Sequence, residues 1–169
     1  MYNIAAMQTI ILDEEKIRWK VRRMAYEIYE RNSDKSEIIL AGIPDRGTVL
    51  AGMLAAVLQE IAGFRIRTVA LELDKDRPLD VKVVPATDFD GTAVVVVDDV
   101  ANSGRTLLYA MKPLLEKLPE KIQTAVLVDR MHKSFPVLVD YIGYSLSTTL
   151  QEHISVDIRD GCIRTVYLA

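Results

Sequence analysis

Between residues 94 and 106 the chain reads VVVVDDVANSGRT. The four valines predict a strand buried on both faces, because a half-exposed strand would alternate polar and apolar positions. The run ends in two adjacent carboxylates, Asp98 and Asp99, and a polar turn with Gly104 then leads into helix-forming residues. Ligands of open α/β sheets bind outside the carboxyl ends of the strands. A turn of this kind collects backbone N–H groups and the positive end of the next helix at one point, which suits a phosphate. Ser103 and Thr106 add hydroxyl donors, and Gly104 permits positive φ and close approach of backbone to ligand. Two acids beside an anion site conflict unless the ligand carries both a phosphate and sugar hydroxyls. The loop then takes the phosphate and the acids take the hydroxyls. The loop is neither G-x-x-x-x-G-K-[ST] nor G-x-G-x-x-G. The bland alternative is a strand–turn–helix whose turn is merely charged.

The elements that must position this turn are legible as alternating strands and helices. Residues 13–31 carry Ile17, Val21, Met24 and Ile28 at helical spacing, with Asp13 as N-cap and Glu14 and Glu15 in the first turn. Residues 38–43 form a short apolar strand, closed by Pro44-Asp45-Arg46-Gly47. Residues 48–61 read as a buried helix and 65–73 as a strand. Residues 74–90, with two prolines and a run of aspartates, read as a loop or hairpin. After the strand at 92–97 comes a helix at 105–117, which Pro113 should kink or shorten. A buried strand at 124–128 and short strands near 138–143, 154–158 and 162–168 complete the chain. The pattern predicts one domain over residues 1–169: α/β, an open and mostly parallel twisted sheet with helices on both faces.

At 169 residues, half of them hydrophobic, the chain has material for one core and is not disordered by composition. No apolar run reaches the ~18 residues of a membrane span, and a secretory signal is not expected because no basic residue precedes the first apolar stretch. A cytoplasmic protein with no membrane partner is the expectation. The lone Cys162 excludes an internal disulfide and a cysteine-based zinc site, and two histidines, His132 and His153, exclude a histidine-rich one. A net charge of −3 argues against generic coating of nucleic acid.

The apolar strand, the paired acids and Ser103-Gly104-Arg105-Thr106 together resemble the signature by which type I phosphoribosyltransferases bind phosphoribosyl pyrophosphate (PRPP). Three further stretches occur in order: ILDEEKIRWKVRRMAYEIYERN, IILAGIPDRGTVLAGMLAAVL and IQTAVLVDRMHKSFPVLVDYIGYSLSTT. With them, nearly the whole chain from Ile11 to Ile158 resembles the pyrimidine-operon attenuator / uracil phosphoribosyltransferase family. The resemblance implies transfer of phosphoribose from PRPP to a nucleobase, uracil ahead of hypoxanthine or guanine. It makes Asp98 and Asp99 the catalytic holders of the ribose hydroxyls. Ala101, Asn102, Ser103, Gly104, Arg105 and Thr106 would cradle the phosphate. Asp45, Arg46 and Gly47 would form the pyrophosphate loop, with Arg46 as a charge clamp. Arg130, Tyr141, Ile142 and Ile154 would line the base pocket, where Tyr141 would stack on the base. Mg²⁺ is the implied cofactor, touching Asp98 and Asp99 mostly through PRPP and water.

The resemblance also implies a homodimer or higher homo-oligomer, which the nearly all-apolar helix at 48–61 supports. It raises messenger RNA as a partner through Lys20, Arg22, Arg23, Arg31, His132 and Lys133. A solvated helix face interspersed with Glu27 and Glu30 is the favoured reading of those cations. The chain departs from the family pattern in four places. The hood between the second and third strands is cut to Asp74–Pro85, with Arg77 as its remnant. The phosphate loop opens on Val100-Ala101-Asn102-Ser103. Tyr144 replaces a lysine, and Pro44 stands where a lysine is common. Relatives hold a cis peptide in the pyrophosphate loop. Since cis costs only ~0.5–1 kcal/mol before proline, Ile43–Pro44 is by alignment the bond in question, although a trans proline that simply ends the strand is the commoner outcome. The paired acids are expected to face solvent.

Overall fold

The computed structural model describes residues 8–149 and 152–168. Its main sheet has six strands in the order β4-β3-β2-β5-β6-β7: β4 (Val81–Val84), β3 (Arg65–Leu73), β2 (Glu37–Gly42), β5 (Ala93–Ala101), β6 (Lys121–Arg130) and β7 (Tyr141–Leu146). All neighbours run parallel except β3 and β4, which form an antiparallel hairpin. A second, three-stranded antiparallel sheet joins the two ends of the chain, in the order β1 (Thr9–Leu12), β9 (Cys162–Leu168), β8 (Ile154–Arg159).

The period-two alternation of strand side chains divides the core in two. Ile38, Leu40, Val95 and Val97 face helices α1 (Glu14–Asn32) and α2 (Arg46–Ile61). Ile39, Ala41, Val94 and Val96 face α3 (Arg105–Ala110) and α4 (Lys112–Leu115). The small sheet extends the first of these cores through Leu12, Val156, Ile163 and Val166. Helix α1 begins where its cap predicts, with the Lys16 amide donating to the Asp13 carboxylate at 2.9 Å. Its buried residues Ile17, Val21, Met24 and Ile28 form one stripe.

Three sequence expectations change. The helix over 105–117 is two short helices broken at Met111, with Pro113 in the first turn of α4, where its missing N–H costs nothing. The strand expected near 138–143 lies at Tyr141–Leu146. Strand β5 runs to Ala101, so the paired acids sit inside it rather than beyond its end.

The first turn of α2 rests directly on the end of β5. A Cβ added at Gly47 would lie 2.5 Å from the Val97 carbonyl oxygen, so only glycine lets helix and strand meet there. Gly47→Ala is therefore expected to lower the urea midpoint, by about 1–3 kcal/mol of stability, because backbone must move to admit the methyl group. An unchanged midpoint would show that the helix can lift without cost.

Candidate active site

At the carboxyl edge of the sheet the paired acids are enclosed: Asp98 is 3% exposed and Asp99 8%. The expectation that they face solvent is wrong. The sequence shows the strand but not its cover, which is the backbone of Gly47 on one side and the loop after β3 on the other. Asp98 Oδ1 accepts the Asp99 amide at 2.9 Å, and Lys75 Nζ, on that loop, lies 3.8 Å from the same oxygen. Burial, with the Asp99 charge adding to it, pushes the Asp98 carboxyl up to about 8, while Lys75 pulls the other way.

Two loops flank the acids. The first, residues 43–47, is tied to β5 by the Ile43 amide donating to Val97 at 2.8 Å. Its cis bond is Pro44–Asp45, not Ile43–Pro44. The ease of a cis bond before proline thus does not account for it, since the bond in question follows the proline. Arg46, exposed at the start of α2, donates from Nε to the Val156 carbonyl of β8 at 3.0 Å, which brings the small sheet over this loop. Ile154, half-buried, opens that same strand.

The second loop, residues 101–106, turns at Gly104 with φ 85°. The Ser103 carbonyl accepts the amides of Ser134 and Phe135 at 2.9 and 3.1 Å. Arg105 Nη2 donates to the Asp76 carbonyl at 3.2 Å, pinning the shortened β3–β4 loop against the site. Arg130 leaves the end of β6 towards Asn102 and towards residues 148–149, reaching acceptors in both.

Asp45, Arg46, Gly47, Asp98, Asp99, residues 101–106 and Arg130 thus meet at one edge of the sheet. Tyr141 does not. It begins β7 level with Ala125 and, across β6, with Val97, and it is wholly buried in the core facing α1, its hydroxyl accepting from Asn32 at 3.3 Å, so it has no face to offer a base. Ile142 packs into the core beneath α3 and α4. Lys75 was missed by sequence reasoning, although it lies just past the carboxyl end of β3, where the strand-end rule points. Lys133 was not assigned to the site either. Its stem lies 3.3 Å from the place a Cβ on Gly104 would take, and its ammonium is held by Asp129. Of the cations weighed for RNA, Arg22 pairs with Glu60, Arg23 with Glu27, Arg31 with Asp140 and Lys133 with Asp129.

A buried acid pair between two anion-suited loops, at the carboxyl edge of a parallel sheet, defines a site for a phosphorylated sugar. Residues 7–157 match the phosphoribosyl transferase domain, and the chain belongs to that family of phosphoribosyltransferase enzymes. Among its relatives is the bifunctional protein PyrR of Fusobacterium nucleatum, 37% identical over 161 residues, covering 89% of this chain and 91% of that one. The bifunctional protein PyrR of a Roseiflexus species is 38% identical over 170 residues, covering 94% and 93%. In fold the chain is similar to the hypoxanthine phosphoribosyltransferase of Trypanosoma cruzi, with a TM-score of 0.76 at 19% identity and 95% of each chain covered. It also matches a hypoxanthine-guanine phosphoribosyltransferase of Bacillus anthracis, with a TM-score of 0.72 at 20% identity, covering 94% and 96%. No helix among the described residues is long and apolar enough to cross a membrane.

Proposed function

We propose that the protein transfers the phosphoribosyl group of PRPP to uracil, giving UMP and pyrophosphate. The observation that carries this reading is the enclosed acid pair between the two loops, and the PyrR relatives favour a pyrimidine over a purine. Residues 101–106 hold the 5′-phosphate, and Asp45, Arg46 and Gly47 hold the pyrophosphate. Asp98 and Asp99 accept the ribose hydroxyls and face the positive charge that develops on the ring as the bond from C1 to pyrophosphate breaks. The base nitrogen then bonds to C1 as pyrophosphate departs with the bonding pair, and the nitrogen's proton passes to solvent. No nucleophile from the protein is required, because positioning and electrostatics supply the rate.

Among the described residues no group of three or more His, Cys, Asp or Glu is arranged to hold a metal. A carboxylate pair that leaves most coordination to substrate oxygens and water fits Mg²⁺, which commonly binds through one or two carboxylates plus phosphates. Bound with PRPP, Mg²⁺ would neutralise charge on the leaving pyrophosphate. Labelled uracil, hypoxanthine and guanine, each incubated with PRPP and Mg²⁺, test the reading. Nucleotide from uracil alone is expected, and nucleotide from a purine alone would overturn the base assignment. In the same assay Arg46→Ala is expected to raise the KM for PRPP about tenfold or more, the loss of one charge-assisted contact.

We further propose a homodimer. The side of α2 turned away from the main sheet lines a groove of about 1020 Å³ with Val49, Met53 and Val57, and Trp19 of α1, 62% exposed, stands at its rim. Knob and groove lie on one face, as a two-fold contact requires. Light scattering at micromolar concentration is expected to give a dimer, and Trp19→Glu a monomer. A monomeric parent protein would overturn the assembly.

A further inference from the structure

Among the described residues the Arg130 guanidinium makes three hydrogen bonds, and all reach other segments of the chain. Nη1 donates to Asn102 Oδ1 at 3.1 Å, Nε to Thr148 Oγ1 at 2.6 Å and Nη2 to the Thr149 carbonyl at 2.9 Å. Asn102 lies in the loop read as the phosphate cradle. Thr148 and Thr149 follow β7 in a stretch without helix or strand, so no ladder of backbone bonds fixes their place. The Arg130 backbone is anchored as well, its carbonyl accepting Lys133 Nζ at 2.5 Å. Thr149 continues the chain of contacts, donating from its amide and hydroxyl to Glu152 at 2.7 and 3.0 Å. Those bonds, with a smaller contribution from the Arg130 charge, hold the Glu152 carboxyl below its usual range. Glu152 immediately precedes the approach to β8, the strand on which Arg46 rests.

We propose that Arg130 is a positioning residue that locks the phosphate loop to residues 148–149, rather than a group that binds the base. The inference rests on residues 101–106 being the phosphate loop. A guanidinium suits the task because its donors radiate in a fixed plane, so one side chain can engage acceptors from two segments at once. A lysine offers a single compact charge and cannot span both. The physical consequence is coupling. Fixing Asn102 around a phosphate also fixes Thr148 and Thr149, and disorder in 148–149 is felt at the phosphate loop although neither threonine belongs to it.

The test is PRPP affinity in the presence of Mg²⁺, measured by titration calorimetry on the full-length protein and on Asn102→Ala, Thr148→Val and the double variant. A hydrogen bond to a charged group contributes about 1.5–3 kcal/mol, so Asn102→Ala is expected to weaken binding about tenfold. Thr148→Val, outside the loop, is expected to weaken it several-fold. The double variant should lose clearly less than the product of the two, because each single change already breaks the same link. Arg130→Lys should weaken PRPP binding as much as Arg130→Met and fail to restore it. Effects that multiply independently, or a lysine variant that binds as the parent does, would overturn the strut. A residue that merely stabilises the fold would lower the melting temperature of Thr148→Val without changing the affinity of the folded protein, and that result would overturn it too. A parent protein that does not bind PRPP at all would instead overturn the phosphate-loop reading beneath it.

Discussion

Asp98→Asn is expected to abolish phosphoribosyl transfer and yet to make the ligand-free protein more stable at pH 8. The two effects have one cause. Asp98 is buried against a second carboxylate, and its pKa stands at about 8, above the usual carboxylate value. Between about pH 4 and 8 the native protein therefore keeps a proton that the unfolded chain has released. Stability is fully present below that window and declines through it, with a slope approaching about 1.4 kcal/mol per pH unit for one proton. Across the window the loss is on the order of a few kcal/mol, a large share of the ~5–15 kcal/mol that holds a domain together. Asparagine carries no such charge, so this contribution to the slope should vanish in the variant and appear in full as the difference between the two proteins. Urea unfolding of both at pH 5, 6.5 and 8 measures it. The site thus keeps the acid at a cost to stability, as expected for a group held ready for a ligand rather than for the fold. Parallel pH dependence in the two proteins would mean that Asp98 is solvated and that its carboxylate costs the fold nothing.

The parts of this site that sequence could give are those written in one stretch of chain. The apolar run through Val97, the acids, the glycine turn and the N-cap at Asp13 all act within a few residues, so composition and spacing reveal them. The alternation of strand and helix was legible for the same reason, and it led to the parallel sheet through the usual crossover rules. The failures are long-range. Asp98 and Asp99 look solvent-facing until α2 is laid against β5 through Gly47 and the β3–β4 loop brings Lys75 over them. Tyr141 fails through register. A strand ending at 143 would present it at the carboxyl edge, whereas the strand beginning at Tyr141 pairs it with Ala125 and turns its ring into the core facing α1. Nothing in a short apolar run distinguishes these two placements, since either buries the same residues. The small sheet was legible only in part: β8 and β9 follow one another across a turn at Asp160-Gly161 and both strands could be read from the sequence, whereas β1, which pairs with β9, comes from the other end of the chain.

Gly104→Val is expected to eliminate measurable PRPP binding while leaving the overall fold in place. Gly104 has φ 85°, in the left-handed region where a β-branched residue is a genuine outlier. The new side chain would also meet neighbours: its Cβ would lie 3.3 Å from the Lys133 stem and 3.5 Å from the Phe135 carbonyl oxygen. Lysine can give way, but Phe135 cannot easily, because its amide and that of Ser134 are bonded to Ser103, the residue before the turn. The turn must therefore relax by rotating its own peptides, which are the groups proposed to face the phosphate. A loop that loses that arrangement loses the anion, since the affinity rests on several N–H groups converging at one point. The fold should survive, because Gly104 joins neither apolar core, and strain of this kind costs on the order of 1–3 kcal/mol. Circular dichroism should match the parent while calorimetry shows no heat of PRPP binding. Gly104→Ala, with less bulk at the same φ, should fall between the two. A valine variant that binds PRPP as the parent does would remove residues 101–106 from the phosphate site and leave the anion to the loop at Asp45–Gly47.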